Sequence, residues 1–190
     1  MPYILHSTGL VATWIFDRTH HTLFDCGEGV SGRLRRRIFA IERVLLSHGH
    51  LDHVAGLFSL IASRASMKGD NEKPLDIYFP AGDRNVKAIA ACLAQVLPTL
   101  PYRLSWHELS AGDALPLTEK RSIECFATKH VPRMRTLGFR ITEQRHRLKA
   151  EFRAEPEIEK RMRQMTPEER DAAREVYRHI LMAYSGDAMP

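Results

Sequence analysis

The stretch Ser47-His48-Gly49-His50-Leu51-Asp52-His53 lies between the apolar runs 44–46 and 54–58. Three imidazoles and one carboxylate occupy six consecutive positions here. Neutral imidazole and carboxylate are ligands that Zn²⁺ prefers. Mn²⁺ and Fe²⁺ also bind them, with less selectivity. Because unpaired polar groups between two apolar runs are costly to bury, the stretch predicts a metal site rather than a histidine-rich surface loop.

The spacing within the stretch indicates how these side chains are presented. His48 and His50 are separated by one residue, so in an extended segment they point to the same side. Asp52 follows them if the segment stays extended. If a helix instead begins near His53, Asp52 and His53 can reach a second metal beside the first. The sequence leaves both arrangements open.

Four segments resemble a known family. The pattern His48-x-His50-x-Asp52-His53 after a short apolar strand resembles the signature of the metallo-β-lactamase superfamily. Three further segments are similar to motifs of its ribonuclease Z branch: Asp25-Cys26-Gly27-Glu28-Gly29, His130-Val131-Pro132 followed by Leu137-Gly138-Phe139-Arg140-Ile141, and Tyr184-Ser185-Gly186-Asp187. The resemblance implies an α/β fold, the αββα sandwich of that superfamily. It also implies an incomplete second half, since the superfamily's last histidine ligand lies beyond the end of this chain.

The resemblance also implies a ligand set. The six expected metal ligands are His48, His50, Asp52, His53, His130 and Asp187. The first site would take His48, His50, His130 and Asp187. The second would take Asp52, His53 and the bridging Asp187, and would lack a histidine. Asp52 is expected to be the proton acceptor in catalysis as well, and Asp25 would support the ligand loop without touching the metal. The expected cofactor is Zn²⁺, two ions per complete site, with Mn²⁺ and Fe²⁺ as alternatives.

The rest of the chain alternates between strand-like and helix-like segments. Short runs of β-branched and aromatic residues predict a β-meander at 3–6, 11–16 and 22–26. Apolar residues at helical spacing predict helices at 54–67 and 86–97, the second with Asp83 as its N-cap. Further strands are predicted at 75–79, 103–109, 123–128 and 137–142. This order indicates an α/β layered domain over residues 1–190.

A charged helical insertion is predicted at about 143–180. Between residues 143 and 178 the sequence carries 10 basic and 9 acidic side chains. The stretch Thr166-Pro167-Glu168-Glu169 is a strong helix start, and 157–164 is a weaker helical segment. Ribonuclease Z enzymes commonly carry a Gly/Pro-rich arm for tRNA in this interval. Here the residues favour a solvated helical cover instead.

Composition and charge limit the function further. The chain has 190 residues, of which 44% are hydrophobic, so it can form one domain with its own core. No apolar run is long enough to cross a bilayer, and three widely spaced cysteines do not suggest a disulfide framework. We therefore expect a cytoplasmic protein without a membrane partner. A net charge of +5, with arginines clustered at 33–43 and at Arg133 and Arg135, favours an anionic partner, although a solvated basic face would show the same pattern.

The resemblance implies a metal-dependent hydrolase. The expected activity is that of a phosphodiesterase or ribonuclease similar to ribonuclease Z, in which two metals share an activated hydroxide and Arg133 and Arg135 bind the phosphodiester. One alternative is a superfamily hydrolase of a small ester, thioester or lactam. Another is a non-catalytic binding module that contains a metal. Relatives in the family are often dimers, so a homodimer is a further expectation.

Overall fold

A computed structural model describes residues 2–66, 73–132, 134–153 and 155–189. The chain forms two compact units. The first unit contains Met1–Asp113, Cys125–Phe139 and Tyr184–Pro190, and the second contains Ala114–Glu124 and Arg140–Ala183. All of the ligands expected from the sequence belong to the first unit.

A six-stranded sheet lies at the centre of the first unit. Its strands, in spatial and chain order, are β1 (Tyr3–Thr8), β2 (Ala12–Asp17), β3 (Thr22–Phe24), β4 (Arg43–Leu45), β5 (Leu75–Pro80) and β6 (Leu104–Leu109). Strands β1 to β3 are antiparallel, which confirms the predicted meander. Strands β3 to β6 are parallel, so their carboxyl ends meet at one edge. Ligands of open α/β sheets bind at such an edge.

Helices cover one face of this sheet. They are α1 (Val30–Leu34), a 3₁₀ helix (Arg35–Ala40), α2 (Leu51–Val54), α3 (Gly56–Ser66) and α4 (Arg84–Val96). Their apolar side chains and those of the strands form one buried cluster, which includes Trp14, Phe16, Leu57, Leu60, Ile77, Phe79, Val86 and Leu93. Asp83 caps α4 as predicted, since its carboxylate accepts from the backbone N–H groups of Asn85 and Val86.

The helix predicted at 54–67 is two helices in the structure. The first, α2, already begins at Leu51, and α3 starts at Gly56 after a break at Ala55. A β-carbon at Gly56 would collide with the carbonyl oxygen of Gly27, so only glycine lets α3 start this close to the loop after β3. The predicted end of the helix at Met67 lies outside the described residues. Asp52 and His53 therefore lie in a helical turn, the second of the two arrangements that the spacing allowed.

A four-stranded sheet has the order β10-β9-β8-β7. Its strands are β7 (Ala114–Pro116), β8 (Arg121–Thr128), β9 (Thr136–Leu148) and β10 (Arg174–Tyr184). Three short helices complete the second unit: α5 (Ala150–Arg153), α6 (Ile158–Gln164) and α7 (Pro167–Ala172). The predicted capping box at the start of α7 is present, with Thr166 and Glu169 bonding each other's backbone N–H groups.

The helical part of the segment 143–180 is shorter than predicted. Strand β9 continues to Leu148 and β10 already begins at Arg174, so helices occupy only part of residues 150–172. Cross-strand pairs explain the difference. Arg147 bonds Glu175 at 2.8 Å, and its guanidinium lies 4.7 Å from the centre of the Tyr177 ring. Such pairs stabilise a sheet, although charge density in the sequence alone favours a helix. None of the helices in the described ranges is long and apolar enough to cross a membrane.

Candidate metal centre

Asp25 is the buried anchor of the centre. It follows β3 with a φ of 53°, a left-handed conformation that is uncommon for residues other than glycine. Its carboxylate accepts the Ser47 backbone N–H at 2.6 Å and the Ser47 hydroxyl at 2.8 Å. The Tyr184 hydroxyl donates to the same carboxylate, and His53 Nδ1 lies 2.6 Å from it. One side chain thus joins the ends of β3, β4 and β10 to α2.

His53 is held between negative charges. Burial disfavours its cation, but the hydrogen bond and charge of Asp25, with the charges of Asp187 and Asp52, outweigh burial and raise the pKa of His53 to about 9. On the other side of the ring, Nε2 lies 3.2 Å from Asp187 Oδ2 and 3.6 Å from Asp52 Oδ2. Within the described residues this buried nitrogen makes no hydrogen bond. The same field that favours a proton on His53 would favour a metal cation at Nε2.

Three other imidazole nitrogens converge beside this pair. His48 Nε2 lies 3.1 Å from His50 Nδ1, and His130 Nε2 lies 3.3 Å from the same atom. Burial, followed by the charge on His53, lowers the pKa of His48 to about 4. His48 is therefore neutral at neutral pH, which is the form that binds a metal. The Ser47 hydroxyl, 2.9 Å from His48 Nδ1, orients the ring.

These side chains form two overlapping donor groups. One group is His48, His50 and His130, and the other is His48, His53 and Asp187; within each, the ligand atoms lie within 4.8 Å of one another. Three histidines with room for a further ligand suit catalytic zinc. The buried Nε2 of His53, which faces Asp187 but makes no hydrogen bond within the described residues, gives further support. The residues present therefore fit a pair of divalent cations.

The grouping differs from the expected one in two respects. Asp187 was expected to join His48, His50 and His130 as well, but in the structure it belongs to the group of His53. Asp52 lies next to that group, at 3.6 Å from His53 Nε2, and is part of neither. The helical turn of α2 produces this arrangement, because it buries His53 fully and leaves Asp52 partly buried at the edge of the group, with its side chain 14% exposed.

Glycines and α4 fix the position of the ligand loop. The Asn85 side chain donates to the carbonyl oxygen of Gly49 at 3.1 Å. A β-carbon at Gly49 would collide with the Asp83 carboxylate. Gly186 has a φ of 60°, and a β-carbon there would lie 2.8 Å from the Ser47 side chain. Both close approaches require glycine, so the loop between His48 and His50 and the turn before Asp187 are held in place by packing.

Sequence reasoning missed three residues that support the centre: Ser47, Asn85 and Tyr184. Ser47 is the first residue of the stretch 47–53 and Tyr184 is the first residue of the segment 184–187. Their positions next to expected ligands were the available signal. Asn85 follows the N-cap of α4 by two residues, and nothing in the sequence connects it with Gly49.

The predicted arginines have different positions. Arg135 lies on the loop that follows His130 and is exposed. Its Nη1 donates to the carbonyl oxygen of Ala81 at 3.5 Å. Arg133 lies outside the described residues. The four arginines of the α1 and 3₁₀ segment are exposed, and no ion pair involves them in the part of the chain that the structure describes: Arg33, Arg35, Arg36 and Arg37. Arg43 is half-buried and donates to the carbonyl oxygen of His20 at 3.1 Å.

Comparison with known families identifies related proteins. The profile of the beta-lactamase superfamily domain matches residues 20–149. Ribonuclease Z of Streptococcus suis is 30% identical over 124 residues, which are 64% of this chain and 40% of that protein. Ribonuclease BN of Salmonella typhimurium is 36% identical over 124 residues, 64% of this chain and 38% of that protein. The chain thus spans about two fifths of the length of these relatives.

Solved structures show the same fold. The short form of human tRNase Z superposes with a TM-score of 0.61 and 22% identity, over 75% of this chain and 65% of that one. A metallo-beta-lactamase fold protein of Bacillus subtilis, YhfI, superposes with a TM-score of 0.50 and 21% identity, over 69% and 50% of the two chains. The predicted fold class is therefore confirmed.

Proposed function

We propose that this chain, which belongs to the metallo-β-lactamase superfamily, is a metal-dependent phosphodiesterase acting on RNA. The observation that carries the proposal is the convergence of His48, His50 and His130 beside the buried Nε2 of His53. The relatives named ribonuclease Z and ribonuclease BN support RNA as the substrate. An exposed arginine on the loop after His130 suits a phosphodiester.

Each donor group is proposed to bind one divalent cation. We assign His48, His50 and His130 to one divalent ion, and His48, His53 and Asp187 to its neighbour, with Zn²⁺ as the proposed metal. When bound, such ions neutralise charge on phosphate oxygens and lower the pKa of coordinated water. Asp25 keeps the His53 ring in one orientation and one tautomer, because the carboxylate faces Nδ1 and leaves Nε2 for the metal.

Asp52 and Arg135 have roles in the reaction itself. Water attacks phosphorus in line with the leaving oxygen, so one P–O bond forms as the other breaks. The Asp52 carboxylate, whose side chain is 14% exposed, accepts the proton that the water loses. Arg135 orients the phosphodiester from the loop next to His130. The leaving oxygen then takes this proton from Asp52, which restores the carboxylate and completes hydrolysis.

A hydrolase of a small ester, thioester or lactam is the second candidate. A cavity of about 630 Å³ borders the loop after His130, and small ligands occupy cavities of this size. The cytoplasmic location and the homodimer stay predictions.

Hydrolysis of two model substrates distinguishes the candidates. We expect Zn²⁺- or Mn²⁺-dependent hydrolysis of bis(p-nitrophenyl) phosphate that exceeds hydrolysis of p-nitrophenyl acetate. Faster turnover of the acetate would favour the second candidate. If the protein binds metal and hydrolyses neither compound, it is a non-catalytic metal-binding module and the proposal is wrong.

Replacement of His48 tests the site assignment. His48 belongs to both donor groups, so His48→Ala should lower Zn²⁺ affinity by more than about 100-fold and reduce phosphodiesterase activity to background. His107→Ala is the matched control, because His107 is exposed and contacts Asp76, at 3.2 Å, and the Tyr78 ring, neither of which belongs to a donor group. Zn²⁺ affinity is measured by competition with a chelating dye. A His48→Ala protein that keeps its metal and its activity would contradict the assignment.

A further inference from the structure

Two adjoining cavities lie beside the metal centre, between the loop after β5 and the loop after His130. The first has a volume of about 630 Å³ and is lined by residues 81–85 and by Val131, Pro132, Met134 and Arg135. The second has a volume of about 340 Å³. Both include Ala81, Met134 and Arg135 in their walls, so they adjoin. We call them the outer and the inner compartment.

The outer compartment is attached to the ligand residues on both sides. Asn85 in its wall donates to Gly49, the residue between His48 and His50. On the opposite wall, Val131 directly follows His130. A molecule in this compartment is therefore next to the proposed reaction centre. Both walls belong to the first unit of the chain.

The outer compartment offers cationic donors. Arg84 and Arg135 both contribute to its wall and both are exposed. Arg135 makes one long bond, 3.5 Å, to the Ala81 carbonyl oxygen, which leaves most of its donors for a ligand. The Asp83 carboxylate in the same wall accepts two backbone N–H bonds at Oδ1 from the first turn of α4. An anion such as a phosphate group is the ligand that two guanidinium groups suit.

The inner compartment is mainly apolar. Its walls include Pro80, Leu109, Ala111, Ala127 and Leu137. Thr128 and Thr136, which also line it, bond each other, with Thr136 Oγ1 donating to the Thr128 carbonyl oxygen at 2.8 Å. Met134 stands where the compartments meet, and its flexible thioether adapts to flat rings. A flat, largely apolar group fits this compartment.

We infer that the two compartments bind a nucleotide next to the phosphate that is cleaved, with its base in the inner compartment and its own phosphate between Arg84 and Arg135. This inference rests on the proposed action on RNA and makes it more specific. A nucleotide combines one anionic and one flat group, which are the two kinds of group that the outer and inner compartments suit. Most small esters and lactams lack one of the two.

Equilibrium binding tests the inference without turnover. Titration calorimetry on the Zn²⁺-loaded protein compares three probes: adenosine 5′-monophosphate, ribose 5-phosphate and inorganic phosphate. We expect the nucleotide to bind about tenfold more tightly than ribose 5-phosphate, because only the nucleotide fills the inner compartment. Equal affinities for all three probes would overturn the inference, since they would show that the base adds nothing.

Two variants separate the compartments. Arg135→Ala should weaken binding of the nucleotide and of ribose 5-phosphate alike, by about tenfold. Ala127→Phe fills the inner compartment and should weaken binding of the nucleotide alone. If Ala127→Phe affects both probes equally, or neither, the base does not lie in the inner compartment.

Matched controls use residues away from the cavities. Arg103→Ala removes an equal charge just before β6, whereas the cavities lie at the carboxyl ends of the parallel strands. Ala88→Phe adds an equal ring to the exposed side of α4. Neither should change nucleotide affinity. The outcome is independent of the phosphodiesterase assay: nucleotide binding without hydrolysis of bis(p-nitrophenyl) phosphate would contradict only the proposed function, and hydrolysis without nucleotide binding would contradict only this inference.

Discussion

The Asp25 carboxylate shows how much of a metal centre a single residue can organise. It is fully buried, and its contacts with Ser47, His53 and Tyr184 satisfy its charge. A buried carboxylate in this position costs free energy unless all its partners are present. Its positive φ adds strain, which the surrounding bonds must offset. Strain of this kind is common at functional sites.

Asp25→Asn should weaken metal binding by about 10- to 100-fold, since the amide removes the charge that orients and polarises His53. Asp17→Asn is the matched control. Asp17 is also buried and its carboxylate lies 2.5 Å from His20 Nδ1, but it is the last residue of β2 and pairs with the first residue of β3, at the opposite end of that strand from Asp25. Both variants should lose stability in urea unfolding. Only Asp25→Asn should lose Zn²⁺ affinity, and an equal loss in both would contradict the role of Asp25.

Turns between elements decide where the ligands meet. The turn after β10 places Asp187 next to the ligand loop, and the Met189 backbone N–H donates to the Lys129 carbonyl oxygen at 2.8 Å, next to His130. Gly186 within this turn lies against Ser47. Asp187 thus reaches His53 because Gly186 lets the turn after β10 pack closely against Ser47.

Gly186→Ala should lower Zn²⁺ affinity, since the added methyl group pushes Asp187 away from His53. Gly112→Ala separates this collision from backbone strain. Gly112 has a φ of 97°, but no atom of the described residues lies within 4 Å of an added β-carbon. Each variant should lose about 1 kcal/mol of stability from the left-handed conformation. If metal affinity is unchanged in Gly186→Ala, as we expect it to be in Gly112→Ala, the turn does not position Asp187.

Strand pairing in the second unit has an electrostatic component. Glu124 on β8 accepts from Arg140 at 2.8 Å, from Arg178 at 2.7 Å and from Thr142 at 3.2 Å. Burial raises the pKa of Glu124, but the bond to Arg140 and the charge of Arg178 outweigh it, so the net shift is downward. The folded state therefore favours the charged form of this carboxyl.

The stability that Glu124 contributes should be complete above the pKa of an unfolded glutamate, about 4.3, and lost as the pH falls through the lower folded pKa. Glu124→Gln should cost about 1 kcal/mol at pH 7, because the arginines are partly exposed, and the loss should shrink toward pH 3. Urea unfolding from pH 7 to pH 3 measures this. Glu151→Gln, an exposed change in α5, should be neutral throughout. A Glu124→Gln loss that is constant with pH would rule out the ionic contribution.

Charge at the scale of the whole molecule bears on RNA binding. The net charge is +5, and four exposed arginines lie together on the α1 and 3₁₀ segment. Phosphates displace counterions when they bind such side chains, so affinity falls as salt rises.

Replacement of Arg36 and Arg37 by Gln should make the slope of log RNA affinity against log salt concentration shallower, by the amount expected for the loss of about two phosphate contacts. Fluorescence anisotropy of a labelled RNA at several salt concentrations measures the slope. The matched control is Lys160→Gln with Arg163→Gln, which removes the same charge from α6 in the second unit. Equal slopes for both variants would show that the arginines form only a solvated basic face.

Local patterns in the sequence predict the donor side chains of the candidate centre and most elements of the fold. Imidazole and carboxylate donors at 48–53, the meander, the cap at Asp83 and the capping box at Thr166 are local patterns, because spacing along the chain sets them. Tertiary contacts alone show that Tyr184 bonds Asp25, that Asn85 holds Gly49, and that β9 and β10 extend into the charged segment. These contacts join residues distant in sequence. They depend on side-chain packing and strand pairing, which no local period encodes.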